Sequence, residues 1–450
     1  MKRFAGGLIV AFMAVIFIAL AVILLTHSKS PIRKSETFEK LRQDFMANAF
    51  SAFQKTVQHA KFVEKSEKEM TAEELKTKRS LEQELLANAP THKLILKSNK
   101  VMTGYLIEEK PGYVVFSESY RDTGRVSMNV SRSRIKEITT LTNTTPVITY
   151  RDVLFKMEFL QMNLYKRKPY TIMTDENYFS VENTVNVLRK LYGQMSSRFS
   201  TLIDREKNRE NIQILFFSNE SAFLSYRNEF APELEGSVGF YSANLDRLVV
   251  FNQKTGALMR EGMAHVNAEV DRNKPLAVTP ETRTQLKRWQ KGQEQRLMYL
   301  AKEETIVTVR HEGAHQISYN LGILSFFQPG HVWVTEGIAT YCETSTLGNV
   351  NRLRSKQLKK AFKEKNIMPL KKLMGLKHLN NSSTYNQSWG LTYFLMHSTC
   401  RKGFFNFLRF LRDPVNISEV KREPPLELLC RFLKVEPEEF EKRWLEYLEE

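Results

Sequence analysis

The chain has 450 residues, with 67 Lys and Arg against 50 Asp and Glu, which gives a formal net charge of +17. Apolar residues at 42% exclude a wholly disordered chain, 19 glycines and 14 prolines exclude collagen-like character, and three cysteines (Cys342, Cys400, Cys430) exclude a disulfide-dense scaffold. The basic residues are scattered, without zinc-finger spacing, an RRM-type motif or an Arg-rich arm, so the charge reads as a solvated surface and no nucleic-acid partner is expected.

The first element is an uncharged run from Phe4 to Thr26. At 1.5 Å per residue in a helix it reaches about 34 Å, enough to cross a bilayer core. No small-residue cleavage site follows it, so the sequence predicts an uncleaved single-pass anchor over 4–26. An N-terminal anchor of this kind places the rest of the chain outside the cytoplasm. Residues 35–90 are polar and helix-favouring, with Phe38, Leu41, Phe45 and Phe53 near one face, and read as a helical stem.

From 91 to 140 the period shortens. Leu94–Leu96, Tyr105–Ile107, Tyr113–Phe116, Val126–Met128 and Ile135–Ile138 are short β-type runs, separated by turn signals at Ser98-Asn99, Pro111-Gly112 and Thr123-Gly124. Five strands in so short a stretch predict a small SH3-like barrel with a docking or spacing role. Residues 150–450 form the larger domain. Strands at Tyr170–Thr174, Ile212–Phe217 and Leu245–Asn252 surround a helix over Val181–Phe199, and the pattern beyond Gly256 is chiefly helical. Strands first and helices afterwards predict an α+β fold with a helical C-terminal lobe.

The chemistry-bearing motif is His311-Glu312-Gly313-Ala314-His315. Residues four apart share a helix face, so the two imidazoles can converge on one ion, and Glu312 projects at a neighbouring angle suited to holding a water. Leu321-Gly322 supplies a helix stop. Glu336 follows His315 after a gap of 20 residues, within Trp333-Val334-Thr335-Glu336-Gly337-Ile338-Ala339-Thr340-Tyr341-Cys342-Glu343, where Glu336, Thr340 and Glu343 share a helical face. Two antiparallel helices would set Glu336 opposite the histidines. Two imidazoles and one carboxylate leave a fourth position open, the arrangement of a catalytic zinc rather than a structural one.

These residues, with the Trp333-x-x-Glu336-Gly337-x-Ala339-x-Tyr341 segment, resemble the gluzincin metallopeptidases, the peptidase-MA-like clan that includes thermolysin and the zinc aminopeptidases. They are most similar to an uncharacterised bacterial branch of that clan, over roughly Tyr170 to Tyr447. The resemblance implies a thermolysin-like fold, one Zn²⁺ per chain on His311, His315 and Glu336, and a peptide or protein substrate. It implies Glu312 as the base and Tyr385, in Thr384-Tyr385-Asn386-Gln387-Ser388, as a transition-state donor. Thermolysin has an aspartate four residues after its glutamate ligand to hold the first histidine; this chain has Thr340 there, so Thr340 or Glu343 is expected to take that place. An edge strand for the substrate backbone is implied too, with Val238–Tyr241 beside Leu248–Phe251 as the candidate.

The expected function is therefore a membrane-anchored zinc metallopeptidase. The rival reading is a catalytically inactive, membrane-anchored binding or scaffolding protein that keeps a peptidase-like domain. Among the remaining residues, His331 is expected to face solvent, Cys342 to be buried, Trp333, Trp389 and Trp444 to anchor the core, and the helix over Arg352–Lys365 to be a solvated face.

Overall fold

A computed structural model describes residues 65–449 except 88, 118–126, 142–146, 204–211, 244 and 326–330. It begins with helix α1 (Ala72–Ala87), followed by β1 (His92–Leu96), β2 (Val101–Glu109), β3 (Tyr113–Ser117), β4 (Ser127–Ser131) and β5 (Ile135–Thr140). These strands form an antiparallel sheet in the order β4-β3-β2-β1-β5. Leu94, Leu96, Met102, Val114, Phe116 and Val130 fill one small core, as the alternating pattern predicts.

Helix α2 (Tyr150–Glu158) leads into a second sheet built from β6 (Asn163–Arg167), β7 (Tyr170–Thr174), β8 (Ile212–Phe217), β9 (Gly239–Ser242) and β10 (Arg247–Phe251). Its order is β6-β7-β8-β10-β9, parallel across β7-β8-β10 and antiparallel at both ends. β8 is buried at every position, which is why it is apolar at all of them but Gln213. Its Leu215 and Phe217 join Phe155, Phe223 and Phe240 on one face, against α2 and α4 (Glu220–Phe230). Ile212, Ile214 and Phe216 join Leu188 and Val309 on the other. Leu188 belongs to α3 (Tyr178–Arg198), which Asn177 caps by accepting from Ser180 N.

After α5 (Ala257–Asn273) comes α6 (Pro280–Asn320), 41 residues and about 60 Å long. It starts on a Thr279 cap with proline in its first turn and stops at Gly322, whose φ of 66° favours glycine. The stop falls where Leu321-Gly322 predicts it. The C-terminal lobe follows as α7 (Val332–Tyr341), α8 (Arg352–Lys363), α9 (Leu370–Met374), α10 (Ser382–His397), α11 (Arg401–Arg412), α12 (Ile417–Arg422), α13 (Pro425–Leu433) and α14 (Pro437–Glu449). Trp333, Trp389, Trp444 and Cys342 are all buried in its core, as expected. The α+β architecture thus stands, with two small sheets and a helical lobe.

Two expectations need correction. Among the described residues no helix is long and apolar enough to cross a membrane, and α6, the longest, is charged along its length. That finding overturns the single-pass membrane reading and the extracytoplasmic location drawn from it; the run over 4–26 and residues 35–64 of the stem lie outside the described residues. The second correction is His331, which does not face solvent. It is 2% exposed at the start of α7, its ring lies edge-on to Phe407 at 5.6 Å, and neither ring nitrogen has a hydrogen-bond partner among the described residues.

Burial lowers the His331 pKa from 6.5 to about 4. The unfolded chain therefore takes up a proton below pH 6.5 that the folded chain refuses until about pH 4. Stability from this group is present above pH 6.5 and is lost as the pH falls through that window, by about 3 kcal/mol. Denaturant unfolding of the parent and of His331→Leu at pH 7.5 and pH 4 is expected to show this extra acid loss in the parent alone. Parallel losses in the two proteins would contradict it.

Candidate metal centre

α6 runs beneath the sheet, and its C-terminal third faces α7. His311 and His315 stand one turn apart with ring centroids 5.1 Å from each other. Glu336 of α7 meets them both: its Oε2 lies 3.2 Å from His311 Nε2 and its Oε1 lies 3.5 Å from His315 Nε2. One ligand atom from each of the three residues lies within 4.8 Å of the others, close enough for a single ion. Two imidazole nitrogens and a carboxylate oxygen are a donor set suited to a first-row divalent metal.

The glycine after Glu336 is a packing requirement. A methyl group at Gly337 would lie 2.2 Å from Thr392 Oγ1 and 3.0 Å from the Ser388 carbonyl, both on α10. Its absence lets α7 and α10 approach closely, which brings Tyr385 of α10 to the centre, with its ring centroid 6.3 Å from that of His311. Burial, and then the nearby Glu336 and Glu312 charges, push the Tyr385 hydroxyl pKa well up, so it stays protonated as a donor.

The nitrogen of His311 turned away from Glu336 is held by Glu343: Nδ1 donates to Oε1 at 3.1 Å. Thr340 does not take this role. Its hydroxyl donates to the Glu336 carbonyl at 2.7 Å and to the Gly337 carbonyl at 3.0 Å, back along its own helix. α7 ends at Tyr341, so Glu343 lies past the helix, on chain free to turn toward His311. Glu343 is itself gripped by Arg354, which donates Nε to Oε2 and Nη2 to Oε1, each at 2.6 Å, and Asn351 adds a bond at 3.2 Å. Arg354 also donates to Asn386 Oδ1 at 2.9 Å, beside Tyr385 on α10. The helix read as a solvated face therefore has one arginine turned inward to the site.

Arg310 does a different job from its neighbour. Its side chain is 1% exposed, and it donates Nε to the Cys342 carbonyl at 2.7 Å and Nη2 to Gln194 Oε1 at 3.1 Å. A cation at the last carbonyls of α7 complements that helix end.

The electrostatics follow the burial. Desolvation opposes charge on His311, but the bonds to Glu336 and Glu343 outweigh it and push its pKa up to about 10. Burial would raise Glu336, yet the charge on His315 and the bonds from the two histidines hold it well below the usual carboxylate range. Glu312 goes the other way, raised chiefly by burial. Its Oε2 accepts from the backbone N–H of Tyr241 in β9 at 3.1 Å. The motif carboxylate therefore stands beside the ligand cluster and against the terminal strand of the sheet.

Metal binding must expel the proton that His311 holds, so metal affinity is expected to fall about tenfold for each pH unit below about 10. Isothermal titration with a divalent ion at pH 6, 7 and 8 reads this slope; a flat profile would refute it. Glu343→Gln is expected to weaken the metal about 10- to 100-fold, while Thr340→Val should leave affinity near the parent value.

A family model described as a protein of unknown function (DUF1570) matches residues 305–416, a span that holds His311, Glu312, His315, Glu336, Glu343, Arg354 and Tyr385 but none of the second sheet. No curated protein matches the chain. Neither comparison brings a protease activity or a zinc ion to it, and the signs of a metal are the grouped side chains themselves.

Proposed function

We propose that the chain is a zinc-dependent peptidase whose domain over 150–450 is gluzincin-like. One observation carries the reading: three donor atoms from two helices gather at one point, with a raised carboxylate, Glu312, next in the chain to the first of them. His311, His315 and Glu336 would hold the zinc, and Glu343 and Arg354 would fix the His311 ring. β9 pairs only with β10 among the described residues, which supports it as the edge along which a substrate backbone is laid. The strand order of the small sheet, with a 3₁₀ turn at Arg132–Arg134 before β5, supports the SH3-like reading of 91–140.

When bound, zinc would supply a Lewis acid that polarises the scissile carbonyl and acidifies a water. The chain's own groups do the rest. Glu312 accepts the water proton on its carboxylate and passes it to the leaving amine nitrogen, a task suited to a carboxyl raised by burial. The Tyr385 hydroxyl donates to the oxyanion that develops on the carbonyl. Tyr319, one turn beyond His315, stacks on Tyr241 and carries a hydroxyl that burial pushes up to about 12, so it too stays neutral.

Glu312→Gln keeps the volume and removes the proton acceptor. Hydrolysis of a mixed peptide library by the zinc-loaded chain is expected to fall about 10²- to 10⁴-fold in this variant, with zinc content unchanged. Chelator should abolish the parent activity and zinc should restore it. Parent-like cleavage by Glu312→Gln would remove Glu312 from the mechanism, and no cleavage by the parent would remove the peptidase reading.

A further inference from the structure

A proton acceptor works only if its carboxylate is held in one place, and the three donor residues do not hold Glu312. The bond that does comes from the Tyr241 amide, at 3.1 Å. That amide belongs to β9, which has one neighbouring strand among the described residues, so its position against α6 depends on side chains. The Tyr241 ring stacks on Tyr319 of α6, centroids 5.7 Å apart and planes 22° from parallel. Its hydroxyl donates to Asp246 Oδ1 at 2.8 Å.

Asp246 lies in the turn between β9 and β10, 2% exposed, with a left-handed φ of 49°. The same Oδ1 accepts from Asn320 Nδ2 at 3.2 Å, and Asn320 is the last residue of α6. That amide is itself aimed by a bond from Nδ2 to the Gln316 carbonyl at 2.9 Å. Oδ2 pairs with Arg151 Nη2 of α2 at 3.4 Å. One buried carboxylate thus fastens the strand that donates to Glu312 and the helix that carries Glu312.

We propose that Asp246 is a positioning residue: through the Tyr241 hydroxyl and the Asn320 amide it sets β9 against α6, so that the Tyr241 N–H orients the Glu312 carboxylate. The proposal rests on the reading of Glu312 as proton acceptor. Asp246 is too buried to meet a substrate and acts only through the strand. A shift of about 1 Å at the reacting centre can cost about 100-fold in rate, so the tether has kinetic weight without touching the chemistry. Asparagine tolerates a left-handed φ and keeps an acceptor oxygen, which makes Asp246→Asn the conservative variant.

The test uses the full zinc-loaded chain, with a fluorogenic peptide taken from the library digest and with hydrogen exchange read at the Tyr241 amide. Tyr241→Phe and Asp246→Ala are expected to lower kcat about 10- to 100-fold with KM within about twofold, at unchanged zinc content. Asp246→Asn is expected to restore kcat to within about threefold of the parent. Exchange at the Tyr241 amide should quicken in Tyr241→Phe, Asp246→Ala and Glu312→Ala and stay slow in Asp246→Asn. Parent-like kcat in Tyr241→Phe, or an amide as protected in Glu312→Ala as in the parent, overturns the proposal. Should the parent cleave nothing while exchange follows the expected order, the peptidase reading falls and the tether on Glu312 stands.

Discussion

A buried carboxylate needs positive partners, and the candidate centre is organised by that need at Glu336. Set between two imidazoles, its charge draws a proton onto His311, whose far nitrogen then requires an acceptor of its own. Glu343 supplies it, and because Glu343 is also buried, Arg354 must come in from α8. The charges alternate outward from Glu336 through His311 and Glu343 to Arg354, which donates to the neutral Asn386 on α10. Each charge from Glu336 to Arg354 faces an opposite neighbour, so the cluster costs the fold far less than its parts would singly.

The same network explains why elements distant in the chain converge. α3, α6, α7, α8 and α10 all contribute, linked by the polar contacts of Gln194, Arg310, the Cys342 carbonyl, Arg354 and Asn386. Gly337 removes the side chain that would separate α7 from α10. On the other flank the sheet supplies one amide, from Tyr241, and an apolar underside that rests on Val309.

How much of this was legible in the sequence depends on whether the contact is local. His311 and His315 are one turn apart, so helical periodicity alone pairs them. Glu336 lies in an apolar helix where a lone carboxylate is conspicuous. β7, β8 and β10 are short, largely apolar runs rich in β-formers, and the structure shortens the last of them only at its ends. β6 was missed because Lys166 and Arg167 interrupt its apolar content and it pairs at the sheet margin. Of Thr340 and Glu343, the two residues expected beside His311, Thr340 stays within α7 and bonds back along it, and Glu343, just past Tyr341 where the helix stops, takes the place. Arg354 could not be told from Arg352 or Lys356: its inward turn is decided by Glu343, which is far from it in local pattern though near in space. The burial of His331 leaves no local signal, because Phe407, which covers it, is a tertiary neighbour. No periodicity links Asp246 with Asn320, since the sheet turn and the helix end meet only in the folded chain.

The anchoring of Arg310 on the Cys342 carbonyl bears on what the ion contributes to folding. In miniature zinc domains the chain has no fold until its ligands close around the metal, so stripping the metal melts the domain. Here the two ligand-bearing helices are already clasped by a buried guanidinium, by a core that includes Trp333 and Ile317, and by the glycine contact to α10. The free energy of coordinating an ion there would be available mostly as affinity rather than being consumed in organising the polypeptide. If these residues hold a metal, such a centre would be emptied and refilled reversibly, with the chain keeping its fold in both states.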